Sequence, residues 1–113
     1  MCSSDLVQEA LVRLGWTAAD LRFAAVATKA FSTVVGDREA VVYFHPFSFS
    51  PRDTHWWLSG TYWSEGINAL SNLCRPIPIA ASLAELGAHV ASFVNEAEAK
   101  IDQTYARSLV IRH

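Results

Sequence analysis

One stretch of the chain, residues 55–63, decides the fold, and it reads His-Trp-Trp-Leu-Ser-Gly-Thr-Tyr-Trp. Aromatic and β-branched residues favour strands, in which successive side chains point to opposite faces. One face then carries the odd-numbered residues, His55, Trp57, Ser59, Thr61 and Trp63. The other carries the even-numbered ones, Trp56, Leu58, Gly60 and Tyr62. We expect helices to cover the second face, with Gly60 leaving room for a close neighbour, and Trp57 and Trp63 to lie on the opposite side.

The residues before this strand predict a β-hairpin. Residues 31–35 and 38–44 are rich in valine and aromatic residues, and Gly36 and Asp37 lie between them. Glycine tolerates positive φ and aspartate can bond its own backbone, so these two residues are expected to form the turn. Residues 46–54 contain two prolines, which lack the N–H that a ladder needs, and we expect a loop there.

Helical periodicity is clear near both ends of the chain. Residues 5–14 place their apolar side chains on one face, and Gly15 is suited to end a helix. Ser82 and Glu85 have the spacing of a capping box, and apolar residues then follow a period of about 3.6 residues from 83 to 105. Residues 17–30 are less regular, and we expect their first half to be helical and their second half to be extended.

These elements predict a single α+β domain over residues 1–113. A small antiparallel sheet of about three to four strands should carry the short N-terminal helix and the long C-terminal helix on one face. The alternate prolines of residues 75–79 confine that segment to an edge of the sheet or to polyproline geometry. The apolar segment 108–113 should either continue the long helix or add a strand.

Composition excludes several classes of protein. The chain has 113 residues, of which 51% are apolar and 18% charged, so it can form a core and is not a disordered tail. Its formal net charge is -2, and residues 54–64 contain no basic side chain, so a nucleic-acid partner is not expected. No apolar stretch reaches the roughly 18 residues of a membrane span, and no signal peptide is recognisable. We therefore expect a cytoplasmic protein without a membrane partner.

The two cysteines are expected to be free thiols. Cys2 and Cys74 lie far apart in the sequence and have neither metal-binding nor redox spacing. The apolar neighbours Leu73 and Ile77 predict a buried, unreactive Cys74. The sequence contains no phosphate-binding loop and no nucleophile elbow. No metal or cofactor is therefore expected.

One group of residues could support acid–base chemistry or bind a small ligand, and it consists of His45, Asp53, His55 and Glu65. Histidine exchanges protons near neutral pH, and imidazoles with a carboxylate can hold a divalent ion. The spacing of these residues nevertheless matches no catalytic or metal-binding signature. We assign no catalytic residue, and an enzyme is less expected than a binding protein. The alternative hypothesis is a small-ligand-binding protein or a minor hydrolase with a pocket around these four residues.

The aromatic residues concentrated between positions 43 and 63 leave three alternatives, namely a large core, an association surface or a small-molecule pocket. The large core, closed by both helices, has no function of its own to predict. Of the two functional alternatives we favour the association surface, which predicts a non-catalytic interaction protein that forms a homodimer or binds another protein. A small accessory protein of the bacterial mobile-element type would have this size and this lack of motifs. The residues expected at the contact surface are Tyr43, His45, Phe47, Phe49, His55, Trp57, Trp63 and Glu65.

Overall fold

Two helices and six strands make up the described part of the chain. The computed structural model describes residues 3–20, 24–33, 36–45, 55–64 and 66–111. The helices are α1 (Ser3–Arg13) and α2 (Leu83–Ile111). The strands are β1 (Thr17–Ala18), β2 (Ala25–Thr33), β3 (Gly36–His45), β4 (His55–Ser64), β5 (Ile67–Asn68) and β6 (Cys74–Pro78).

The six strands form an antiparallel sheet. Its order is β1-β2-β3-β4-β5, and β6 pairs with the half of β4 that β5 does not occupy. The expectation of three to four strands is therefore wrong in number. The unforeseen strands are β1 and β5, and each has only two residues, which is too short to show a periodic pattern in a sequence. The segment with alternate prolines forms the edge strand β6, as predicted.

The helix expected in the first half of residues 17–30 is wrong for residues 17–20, the described part of that half. Thr17 and Ala18 form β1, which pairs with β2. The side-chain amide of Gln8 on α1 donates hydrogen bonds of 2.8 Å to the backbone oxygens of Ala19 and Val26. These tertiary bonds hold the chain extended beside α1 and override the weak local preference for a helix. The extended second half is confirmed by β2.

The antiparallel pairing of β2 with β3 is confirmed, but Gly36 and Asp37 do not form its turn. Thr33 pairs with Gly36 and Ser32 pairs with Asp37, so Gly36 and Asp37 are the first residues of β3. The hydroxyl of Ser32 donates a hydrogen bond of 3.2 Å to the Asp37 carboxylate. A cross-strand partner therefore satisfies the side chain that the sequence assigned to a turn.

α2 covers the sheet with the apolar face that its sequence predicts. Ser82 caps the helix, because the N–H of Glu85 donates to the Ser82 hydroxyl at 3.2 Å and the N–H of Leu86 donates to the Ser82 carbonyl at 2.8 Å. Over residues 83–104, the part of α2 whose side chains are described, the buried residues are Leu86, Val90, Phe93, Val94, Ala97 and Ile101. They share one hydrophobic core with the inner face of α1, so both helices lie on the same side of the sheet. The helix runs to Ile111, so the apolar C-terminal segment extends it and forms no strand over its described part.

Candidate functional site

β4 has one buried and one exposed face, as its alternating sequence predicts. Tyr62 is buried beneath the helices. Trp56 is half-buried, and its ring lies edge-to-face with the ring of Phe44, with 5.6 Å between the ring centroids. On the other face, Trp57 is 44% exposed and Trp63 is 58% exposed. The assignment of the aromatic residues to two faces is therefore confirmed.

Gly60 allows α2 and the segment between β5 and β6 to approach β4 closely. A Cβ at this position would lie 3.1 Å from Cδ1 of Leu70 and 3.3 Å from the carbonyl oxygen of Val41, and both distances are tighter than ordinary contacts. The ring of Phe93 on α2 would lie 3.6 Å away. The close neighbour expected at Gly60 is present, and it consists of Leu70 and Phe93.

The exposed face of β4 belongs to a larger surface, which we name the open face. Both helices lie on the opposite side of the sheet, so no element of the described chain covers it. The cross-strand register places the exposed residues of β4 beside those of β3 and β6. The members of the open face on these three strands are Asp37, Glu39, Val41, Tyr43, His45, His55, Trp57, Ser59, Thr61, Trp63, Cys74, Pro76 and Pro78.

Two side-chain hydrogen bonds cross the open face. Nε2 of His45 lies 2.9 Å from Oγ of Ser59, and the phenol oxygen of Tyr43 lies 3.5 Å from Oγ1 of Thr61. Each bond joins diagonal neighbours on β3 and β4, since Tyr43 is directly opposite Ser59. The bonds direct the imidazole and the phenol towards β4 and its exposed indoles.

The open face carries acidic groups at one end of β3 and imidazole at the other. Asp37 and Glu39 lie at the start of β3 and are exposed. His45 ends the strand and lies beside Trp57, while His55 begins β4 at the same end of the sheet. Uncharged side chains separate the two ends, so the open face has an uneven charge distribution along the strand direction.

The structure brings together five of the eight residues predicted at the contact surface. Tyr43, His45, His55, Trp57 and Trp63 all belong to the open face. The other three, Phe47, Phe49 and Glu65, lie outside the described residues, as does Asp53 of the alternative site.

Sequence reasoning missed Glu39, Val41 and Cys74 as members of this surface. The predicted burial of Cys74 is wrong, because Cys74 is exposed and pairs with Ser59 across the β4–β6 ladder. Its neighbours Leu73 and Ile77 are buried on the helix side, and alternation places Cys74 on the other side. The period of two in residues 73–77 was the available signal, and the prolines obscured it.

Neither family models, curated proteins nor solved structures match this chain.

The described residues contain neither a cluster of metal-binding side chains nor a membrane-spanning helix. In that part of the chain, no three His, Cys, Asp or Glu side chains gather closely enough to hold a metal ion. Among the helices so described, none is both long enough and apolar enough to cross a membrane.

A cleft of about 370 Å³ lies on the helix side, between α1 and the beginning of α2. Leu6, Leu14 and Leu83 contribute to its apolar lining. Glu9 and Arg13 also line it, but they bond each other at 2.7 Å across one helical turn. The cleft therefore presents few polar groups that could orient a ligand, and the open face is the stronger candidate site.

Tyr62 links the stability of the sheet to pH. Burial raises the pKa of its phenol above the ordinary value, and the nearby Arg38 guanidinium partly opposes this by lowering it. The folded state therefore binds this proton more tightly than the unfolded state. Its contribution to stability is complete below the unfolded pKa of about 10 and is lost as pH rises through the higher folded pKa.

We expect Tyr62→Phe to reduce the alkaline loss of stability. Between about pH 8 and about pH 11, the wild type should lose more unfolding free energy than the variant, because phenylalanine has no proton to release. Urea denaturation at each pH measures the difference. Ser92→Ala is the control, because it also removes a hydroxyl group but keeps Tyr62 and lies on α2 away from the open face, so it should lose stability as the wild type does. Equal alkaline losses in wild type and Tyr62→Phe would contradict the expectation.

Proposed function

We propose that this chain is a non-catalytic interaction protein that forms a homodimer by packing the open faces of two copies together. The observation that carries the proposal is the exposure of Trp57 and Trp63 on the same face of one strand. Antiparallel sheets with one helix-covered face usually carry polar residues on the other, and large apolar side chains there are typical of association surfaces. Tryptophan and tyrosine are also enriched in protein interfaces.

The free energy available from covering the two indoles is substantial. Their exposed fractions correspond to about 250 Å² of ring surface in each protomer, and burying it contributes on the order of 5 kcal/mol. β3 and β4, with ten residues each, and β6, with five, give the open face a flat footprint of about 400 Å², and the adjoining strand β2 adds about 140 Å². Stable protein interfaces bury about 600 to 1,000 Å² of accessible surface on each partner, and the rings that stand above the sheet add to the flat footprint, so the open face suits an interface at the small end of this range.

The edges of the sheet favour association through the face. Pro76 and Pro78 on β6 cannot donate hydrogen bonds to β4, so their backbone groups point to the outer edge and offer no N–H there. Proline on an edge strand prevents another strand from adding to it. At the other margins β1 pairs with only Ala27 and Thr28 of β2, and β5 has two residues.

The exposed thiol of Cys74 fits a reducing compartment. This supports the cytoplasm as the location in which the proposed dimer acts.

A dilution series of the unmodified chain tests the proposal. Sedimentation velocity from about 100 µM to about 0.1 µM should show a dimer that dissociates on dilution, because association depends on concentration. Tryptophan emission should shift to longer wavelength over the same range, as Trp57 and Trp63 become exposed to water. A monomer at every concentration would overturn the proposal.

A second candidate function is the binding of a small polar ligand, or its hydrolysis, at the imidazole end of the open face. The observation in its favour is the 2.9 Å contact between His45 Nε2 and Ser59 Oγ, which is the distance at which a base activates a hydroxyl. Both groups are accessible, and the indole of Trp57 adjoins them. The homodimer is favoured because it covers both exposed indoles, whereas a ligand at His45 covers one.

A further inference from the structure

We infer that the two copies pack with their strands antiparallel, about a two-fold axis that crosses the strands above the row formed by Val42 and Gly60. This inference rests on the proposed homodimer and specifies its geometry. A symmetric dimer requires a self-complementary surface, in which each group on one protomer meets a suitable group on the other. The open face meets this requirement about one row of residues.

The register of β3 and β4 defines that row. Val42 and Gly60 are directly opposite each other. Glu39 and His45 on β3 each lie three residues from Val42, in opposite directions. Trp57 and Trp63 on β4 each lie three residues from Gly60 in the same way. The point midway between Glu39 and His45 and the point midway between the two indoles therefore lie on the same cross-strand row.

A two-fold axis along this row lays β3 of one protomer on β3 of the other, and β4 on β4, with the paired strands running in opposite directions. Glu39 of one copy then faces His45 of the other, and Trp63 faces Trp57. The imidazole can donate a hydrogen bond to the carboxylate whether it is neutral or charged. In the tautomer in which Nε2 of His45 accepts a hydrogen bond from the Ser59 hydroxyl, Nδ1 carries the proton and can donate it to the carboxylate.

The residues nearest the axis also match. Val41 of one copy faces Tyr43 of the other, which joins an aliphatic and an aromatic side chain. Ser59 faces Thr61, which joins two hydroxyl groups. All four are half-buried in the isolated protomer, so they can meet without large side-chain rearrangement.

The usual twist between packed sheets leaves these contacts within reach. Aligned sheets pack about 10 Å apart and cross at an angle of about 30°. A side chain three residues from the axis is about 10 Å from it. The crossing angle shifts this side chain sideways from the one it faces on the partner by about 5 Å, which is one strand spacing. Long side chains such as Glu39 and Trp63 span that distance.

The competing arrangement has its two-fold axis along the strands, between β3 and β4. It would place Glu39 against Trp63 and His45 against Trp57, with no partner for the carboxylate. Exchanging the charges at positions 39 and 45 distinguishes the two arrangements.

The test uses Glu39→Arg, His45→Glu and the double variant, each measured by sedimentation across a dilution series. Both positions are exposed, so the protomer fold should tolerate the changes, and circular dichroism checks this. Each single substitution places like or mismatched charges together twice in the dimer and should raise the Kd about 10-fold or more. The double variant restores an Arg–Glu pair at both contacts and should return the Kd to within about threefold of the wild type.

Glu85→Arg combined with His89→Glu is the matched control. Both residues are exposed on α2, on the far side of the molecule, so the same chemical changes there should leave the Kd unaltered. The antiparallel arrangement is overturned if the single variants at 39 and 45 bind as the wild type does, or if the double variant is weaker than both. A wild type that is monomeric throughout the series would instead reject the homodimer itself, and the inference with it.

Discussion

Replacing Phe93 by alanine should lower the unfolding free energy by about 3 to 5 kcal/mol. Phe93 is buried on α2, and its ring faces Gly60 in the middle of β4. Glycine has no side chain that could move into the vacated space, so the cavity would persist. Domains of this size are stable by about 5 to 15 kcal/mol, so the loss would be a large part of the total.

Urea denaturation at a single protein concentration measures this loss, because the apparent stability of a dimer depends on concentration. Ser92→Ala is the matched control, since Ser92 adjoins Phe93 on α2 but is exposed, and its substitution should change stability by less than about 0.5 kcal/mol. A loss below about 1 kcal/mol in Phe93→Ala would show that α2 does not pack on β4 as described.

The faces of β4 could be predicted from sequence because a single strand contains the whole signal. Residues 55–63 alternate strictly, and one glycine among large residues indicates where a neighbour approaches. The buried face of α2 could be predicted for the same reason, because its apolar period extends over several turns. Its capping residue, Ser82, directly precedes the helix in the sequence. β4 and α2 can be predicted because their patterns arise from neighbours within a few residues and from the burial of one face.

The remainder of the sheet could not be predicted because it depends on distant partners. β1 exists because Thr17 pairs with Thr28 and because Gln8 bonds the backbone at Ala19 and Val26. None of these contacts leaves a periodic trace in residues 17–20. The place of Asp37 within β3 likewise follows from its pairing with Ser32, whose hydroxyl satisfies a carboxylate that could equally have bonded its own backbone.

The candidate site was only half accessible to sequence reasoning for the same reason. Trp57 and Trp63 were assigned to one face, but their neighbours depend on the register with β3 and β6. The sequence groups His45 with Asp53, His55 and Glu65, whereas its bond to Ser59 emerges only when the two strands are aligned. The coincidence of the two midpoints at Val42 and Gly60 has the same origin, because it is a property of two strands together.

The double variant Trp57→Ser, Trp63→Ser should raise the Kd of the homodimer by at least about 100-fold. Each indole occurs twice in a symmetric interface, and tryptophan truncations at the centre of interfaces commonly cost a factor of about 30 or more each. Serine suits the strand surface, as Ser59 already occupies it, and both indoles point away from the core. The protomer should therefore keep its fold, which circular dichroism and urea denaturation verify.

Leu83→Ser is the matched control, because Leu83 is 69% exposed but lies at the start of α2 on the helix side. If exposed apolar surface drove association without regard to position, Leu83→Ser would weaken the dimer at least as much as either tryptophan substitution. If the open face is the contact, Leu83→Ser should leave the Kd unchanged while each single tryptophan variant weakens it. In the antiparallel arrangement the two indoles contact each other, so removing the second should cost less than removing the first. A double variant that dimerises as the wild type does would place the contact elsewhere on the molecule.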